Sequence, residues 1–311
     1  MNTLATAGAD QAGQNHGPVT LVRQTPQALA ELEGLIRQGA GWQDVVGEQD
    51  PGAAPVRGPS PAFLDYELHV EFKHLKLLVP QVERFSSLAG KRVLDFGCGT
   101  GGVSVALASR GAQVVGVEPT QANVAAAAVR AGLHGLQDRA QFIHLPDTAR
   151  LPFEEDCFDL VIANSVIEYI FQDRDAYLGE MWRVLQPGGL LYIGDTSNGL
   201  LPREMHSGRW LINYRPDLVR QERCVSGLGY WEVESILVDC PHRVLNLEQP
   251  RQARAAFLER RGWPPALKAL VNAVLLVLQA TLCRPWGVPL EAYLPWLNLA
   301  ILKLPPEGRA G

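Results

Sequence analysis

Residues 93–102 read VLDFGCGTGG, and the fold turns on how that decapeptide is divided. An apolar run and an acid, Asp95, lead into glycines 97, 99, 101 and 102. Gly97, Gly99 and Gly102 spell G-x-G-x-x-G, the dinucleotide fingerprint. Asp95, Gly97, Gly99 and Gly101 spell D-x-G-x-G-x-G, a second glycine-loop pattern. Glycines between a buried strand and a helix let backbone approach a ligand, and the helix N-terminus offers free N–H groups. A phosphate-binding P-loop needs Gly-Lys-Ser/Thr, whereas Val103 and Ser104 follow Gly102, so that reading fails. The decapeptide alone does not choose between the other two.

The surrounding text alternates. KRVLDF (91–96) reads as a buried strand, 103–110 as a helix, AQVVGVE (112–118) as a strand, and 121–131 as a helix. AQFIHL (140–145) and FDLVIAN (158–164) are third and fourth strands. A helix is expected over 173–185, stopped by Pro187-Gly188-Gly189, before a fifth strand, LLYIGD. Apolar strands alternating with helices predict an α/β fold: a parallel sheet covered on both faces. Upstream, TPQALAELEGLIRQG (25–39) reads as a capped helix, 50–61 as a linker, and 62–85 as a helical stretch interrupted at Pro80. Downstream of Thr196 the pattern loosens into a loop-rich region. HRVLNLE and WLNLAILKL read as late strands, and 265–283 as a strongly apolar helix.

Composition narrows the classes. The 311 residues carry a net charge of −5 and 47% hydrophobic residues, which fits a globular chain and disfavours nucleic acid as a partner. Five dispersed cysteines with no C-x-x-C pair suit reduced thiols and a cytoplasmic location. The first eighteen residues have neither a basic start nor an apolar core, so they are read as unstructured rather than as a leader.

Three further pieces follow the glycine loop at matched intervals: DTARLPF (147–153), FDLVIANSVIEYI (158–170) and RVLQPGGLLYI (183–193). With VLDFGCGTGG and VVGVEPT they resemble, in order and spacing, the motifs of class I S-adenosylmethionine-dependent methyltransferases over residues 91–195. The resemblance implies a Rossmann-like core (61–195), preceded by an N-terminal extension (1–60) and followed by an acceptor-binding cap (196–311). It implies S-adenosyl-L-methionine as cofactor, and no cluster of Asp and Asn in the sequence suggests a catalytic metal. Asp95 would anchor the donor's ammonium beside Gly97, Gly99 and Gly101. Glu118 would accept the ribose hydroxyls, Pro119 would lie on the adenine, Asp147 and Thr148 would meet its amino edge, and Asn164 would face the donor's amino group.

On the acceptor side, SNGLLPREMHSGRW resembles an element in methyltransferases of bacterial polysaccharide and lipid-linked glycan clusters. His206 then becomes the expected base for a hydroxyl, oriented by Glu204. Tyr169, Trp210 and Tyr214 are expected to line the acceptor pocket, and Tyr66 and His69 to close over the cofactor. The expected function is methyl transfer to an oxygen of a glycan or lipid-linked sugar. The alternatives are C- or N-methylation of a quinone, polyketide or other secondary metabolite, a scaffold that binds the cofactor without activity, and an NAD-dependent oxidoreductase. The apolar helix reads first as a core helix, with peripheral membrane contact through 265–284 as the second reading.

Overall fold

The computed structural model describes residues 17–39, 60–170, 172–222, 225–259 and 261–306. Most of the expected unstructured start and of the 50–61 linker lies outside them. Among these residues seven strands form one sheet: β1 Arg92–Phe96, β2 Gln113–Glu118, β3 Ala140–His144, β4 Phe158–Asn164, β5 Leu185–Ser197, β6 His242–Val244 and β7 Trp296–Lys303. The order is β3-β2-β1-β4-β5-β7-β6. The five N-terminal strands are parallel to one another. β7 runs antiparallel between β5 and β6, so the sheet is mixed rather than wholly parallel.

Each interior strand alternates its side chains between two apolar layers. On β4, Leu160 and Ile162 face the helices Gly102–Ser109 and Val70–Leu77, while Val161 and Ala163 face Leu178, Met181 and Trp182 of the helix Arg174–Val184. That double burial explains why the interior strands β1, β2 and β4 read as near-continuous apolar runs. The helix Arg174–Val184 ends before Pro187-Gly188-Gly189, and Leu185 already pairs with Phe158. Pro187 disfavours helical backbone at Gln186, so the strand starts ahead of the glycines.

The chain reverses its direction of strand addition between β1 and β4, and in open α/β sheets ligands bind at strand C-termini beside such a point. The helix Pro26–Gly39 does not extend away from this core. Leu29, Leu32 and Ile36 pack against Leu64, Ala126 and Leu133, and Thr25 caps its first turn. The stretch expected as one helix to Pro80 is broken at His69, giving Pro61–Leu68 and Val70–Leu77. The apolar segment corrects the core-burial reading: across Pro265–Trp286 only 17% of the most apolar stretch is buried.

Candidate active site

A cleft of about 1240 Å³ opens over the C-terminal ends of β1, β2, β4 and β5. Its floor is the glycine loop. Gly97, Gly99 and Gly101 have φ of 70°, 52° and 82°, a region that favours glycine. Gly97 and Gly99 line the cleft, and a Cβ on Gly99 would enter open space. Gly101 does not line it: it is pressed against Ala127, and a Cβ there would lie 2.7 Å from that residue's Cβ.

Asp95 lies under the loop, 1% exposed, with Oδ2 accepting from Ser104 Oγ at 2.6 Å. Burial, countered by Ser104 and reinforced by the Glu118 charge, pushes its carboxyl up to about 7. A cation bound beside it would draw that value down again. Glu118 ends β2; Oε1 accepts from Asn123 Nδ2 (3.0 Å) and Thr120 N (3.3 Å), and Oε2 accepts from Gly99 N (3.2 Å). A carboxylate has about four acceptor positions, so one remains for a ligand hydroxyl as the site stands. Asn164, ending β4, lines the cleft with a buried Oδ1 that has no partner. Pro119 and Thr148 line it as well.

This donor set fits S-adenosylmethionine: an orphaned acceptor and a buried carboxyl for its amino-acid end, an acid with a vacant position for its ribose, and a loop with space above Gly99. Asp147 is placed elsewhere. It is exposed and accepts from Ala149 N at 2.9 Å, capping its own turn, which takes its carboxylate out of the cleft.

The other end of the cleft is walled by rings. His206 lies edge-on to Trp296, centroids 4.9 Å apart, and 5.9 Å from the ring of Tyr169; all three line the cleft. His206 Nε2 is 3.2 Å from Glu168 Oε1, and Nδ1 is 3.7 Å from Glu204 Oε1. Burial lowers the His206 pKa against the pull of Glu204 and Asp195, which favours a neutral imidazole. Glu204 does not reach the cleft. Its carboxylate accepts from His206 N (3.0 Å) and from the amide and hydroxyl of Ser207, so it caps the turn that carries the histidine.

Trp210 and Tyr214 are likewise outside, 69% and 52% exposed, because this part of the cap folds on its own backbone: Tyr214 Oη donates to Leu200 O. Tyr66 lines the cleft and His69 does not.

Several residues of this site escaped the sequence reading. Glu168 is fully buried beside His206, neither carboxyl oxygen makes an aligned hydrogen bond, and burial pushes it up to about 8. His74 and Asp195 both border the cleft, and burial with the Lys73 charge pushes His74 down to about 4. Asp195 and Ser165 hold left-handed backbone, φ 45° and 55°, at adjacent strand ends, and Ser165 Oγ donates to Asp195 O. Such backbone outliers cluster at functional sites. Arg130, 0% exposed, ties the helices above the cleft to the loop: Nε donates to Thr100 O, Nη2 to Glu67 O, and Nη1 pairs with Glu71.

The description "Methyltransferase domain" matches residues 94–193, the segment that supplies β1 to β5 and the floor of the cleft. These residues form a class I S-adenosylmethionine-dependent methyltransferase domain. Similar curated proteins include a ubiquinone biosynthesis O-methyltransferase of Bradyrhizobium sp. (strain ORS 278), 32% identical, aligned over 55% of this chain and 64% of its own. Another is a demethylmenaquinone methyltransferase of Clavibacter sepedonicus, 37% identical over 37% of this chain and 45% of its own. The chain thus spans less than two thirds of either relative. Among solved structures, a SAM-dependent methyltransferase from Aquifex aeolicus is 21% identical, covers 55% of this chain and 84% of its own, and has a TM-score of 0.42.

Proposed function

We propose that this protein transfers a methyl group from S-adenosylmethionine to a hydroxyl oxygen of a small aromatic acceptor of the quinol class. The observation that carries the acceptor class is the ring wall of Tyr169, His206 and Trp296, which offers flat apolar faces to a flat ring. The names of the relatives support a quinone-type acceptor better than the glycan or lipid-linked sugar expected from SNGLLPREMHSGRW. Acceptors of this class are hydrophobic, so the reading includes a cytoplasmic protein in peripheral contact with a membrane.

When bound, the cofactor supplies a methyl group on a positively charged sulfur that leaves as a neutral thioether. Asp95 and Asn164 hold its amino-acid end, Glu118 takes a ribose hydroxyl, and the helices Pro61–Leu68 and Val70–Leu77 exclude water from the cleft. The chain's remaining task is to align the acceptor oxygen with the methyl group and accept its proton. His206, as a neutral imidazole, is the base. Both ring nitrogens face carboxyl groups in this structure, so this role requires the ring to turn from Glu168 into the cleft when acceptor binds. Glu168 acts through His206 as a positioning residue.

Calorimetry with S-adenosylmethionine tests the donor half. Glu118→Ala is expected to weaken binding by about tenfold or more, and equal binding by both proteins would overturn the assigned geometry. Release of S-adenosylhomocysteine across a panel of quinol and lipid-linked sugar acceptors tests the acceptor half, and preference for the sugars would reject the aromatic reading. His206→Ala should lower kcat by about a hundredfold or more with cofactor affinity kept. Unchanged kcat would remove His206 from the mechanism.

A further inference from the structure

The helix Pro265–Leu278 continues through two shorter turns to Trp286. Its inner side is committed to the domain: Leu275 and Cys283 are buried, and with Val271 and Leu278 they pack against Phe257, Leu290, Tyr293 and Leu294. Arg254 of the helix Pro250–Glu259 fastens the same side, donating to Asn272 Oδ1 at 3.3 Å and to Gln279. Among the described residues the outer side has no covering. Leu270, Val274 and Val277 are 63%, 60% and 63% exposed, Leu267 and Leu276 are 40% and 45% exposed, and Trp286 at the end is 76% exposed. Leu267, Leu270, Val274 and Val277 follow the i, i+3, i+7 spacing of a single face.

The charge around this face points to its occupant. Across Pro265–Trp286 the sequence has Lys268 and Arg284 and no acid, in a chain whose net charge is −5, and Arg284 is exposed. A second copy laid against the same face would bring like charges together with no local carboxylate to pair them. An anionic surface is complementary. A bilayer-spanning pose is excluded for this packing, because the inner side is already pressed on the domain. A tryptophan at the end of an apolar stripe suits the headgroup boundary.

We propose that the outer face of Pro265–Trp286 docks this protein, in the plane of the membrane, on an anionic lipid bilayer. Leu267, Leu270, Val274 and Val277 enter the acyl boundary, and the exposed Arg284 meets the headgroups. A cavity of about 190 Å³ lined by Ala253, Ala256, Phe257 and Arg261 shares Trp296 with the main cleft, and the helix Pro250–Glu259 that borders it packs on the inner side of the apolar helix. Delivery of the acceptor from the bilayer rests on the proposed quinol reading; the docking itself does not.

The test is co-sedimentation of the full chain with vesicles of phosphatidylcholine alone and of phosphatidylcholine with an equal part of phosphatidylglycerol. The wild type is expected to prefer the anionic vesicles by about tenfold or more, and added salt should weaken the preference. V274E/V277E, placed at exposed positions, should reduce binding by about tenfold, with an unchanged melting temperature. Equal vesicle binding by wild type and V274E/V277E would overturn the proposal. So would a wild type that ignores vesicles and forms a concentration-dependent dimer that the substitutions abolish. Methyl transfer to a short-chain, water-soluble quinol analogue, assayed without vesicles, separates the two readings. Vesicle binding without that transfer sustains the docking and rejects the acceptor.

Discussion

The two ends of the cleft are assembled by different means. At the donor end the contacting groups sit on or just beyond the C-termini of adjacent parallel strands: the glycine loop after β1, Glu118 on β2 and Asn164 on β4. Backbone register alone brings them together. At the acceptor end Tyr169, His206 and Trp296 come from a short turn, a loop and the first residue of β7, far apart in the chain. Their juxtaposition depends on capped turns and buried polar links: Glu204 under the His206 turn, and Asn198 Nδ2 donating to the carbonyls of Ala292 (3.0 Å) and Leu294 (2.7 Å). A site built on strand ends tolerates change in the surrounding loops, whereas one built on capped turns is as stable as its caps.

The donor end has one dependence that breaks this contrast, and it predicts the largest effect. Arg130 reaches from the helix Gln121–Leu133 to the loop and to both helices above it, and its partner Glu71 is 2% exposed. Burial opposes the Glu71 charge, but His134 and Arg130 outweigh it and hold the carboxyl below its ordinary range. Arg130→Ala leaves that carboxylate buried without its cation. The expected loss is about 3–5 kcal/mol in urea unfolding. A loss below about 1 kcal/mol would show that the strand ends need no such clamp.

At the acceptor end the sensitive group is Glu168, whose pKa is pushed by burial to about 8. It faces His206, Glu204 and Arg174. Because the folded value is raised, its stabilising protonation is complete below the unfolded value near 4.5 and is lost as pH rises toward 8. Glu168→Gln keeps the shape of the protonated form and removes the titration. The variant should match wild type near pH 5 and exceed it by up to about 4 kcal/mol near pH 8. A stability difference independent of pH would mean that the carboxyl is already ionised in the fold.

These dependences also explain what could be read in the chain. β4 was legible to its ends and β1 and β2 to within a residue, since strands buried on both faces leave continuous apolar runs; β3, a part-buried edge strand, was legible from its place in the alternation of strands and helices. The donor loop was legible because its left-handed positions need glycine. Arg130 was not: a lone arginine in the alanine-rich helix Gln121–Leu133 reads as solvent-facing, and only the fold shows that it is enclosed. Glu168 stood beside Tyr169 and went unread because its meaning comes from His206, thirty-eight positions later. The helices Pro216–Glu222 and Tyr230–Ile236 are too short to announce themselves, and the second is held by the contact of Arg174 with Glu232. The apolar helix misled for the opposite reason, since a sequence apolar all round does not say whether its outer face meets protein or lipid.

The smallest expected effects separate the two kinds of glycine within the loop itself. Gly101 and Gly99 share left-handed backbone, yet their surroundings differ. At Gly101 a methyl group would strike Ala127, both Cβ at 2.7 Å and backbone Cα at 2.9 Å, and neither can retreat. Gly101→Ala therefore adds overpacking to strain, about 2–3 kcal/mol, with cofactor affinity little changed in the molecules that fold. At Gly99, which lines the cleft, the methyl group meets nothing within 4 Å. Gly99→Ala should cost only about 1 kcal/mol of stability and weaken S-adenosylmethionine binding by about tenfold. Unfolding and calorimetry on the same two variants give a crossed pattern if Gly101 serves packing and Gly99 serves the ligand. Parallel losses in both measurements would mean that the loop binds and folds as a single unit, and the division of D-x-G-x-G-x-G into a ligand-facing and a packing half would fall.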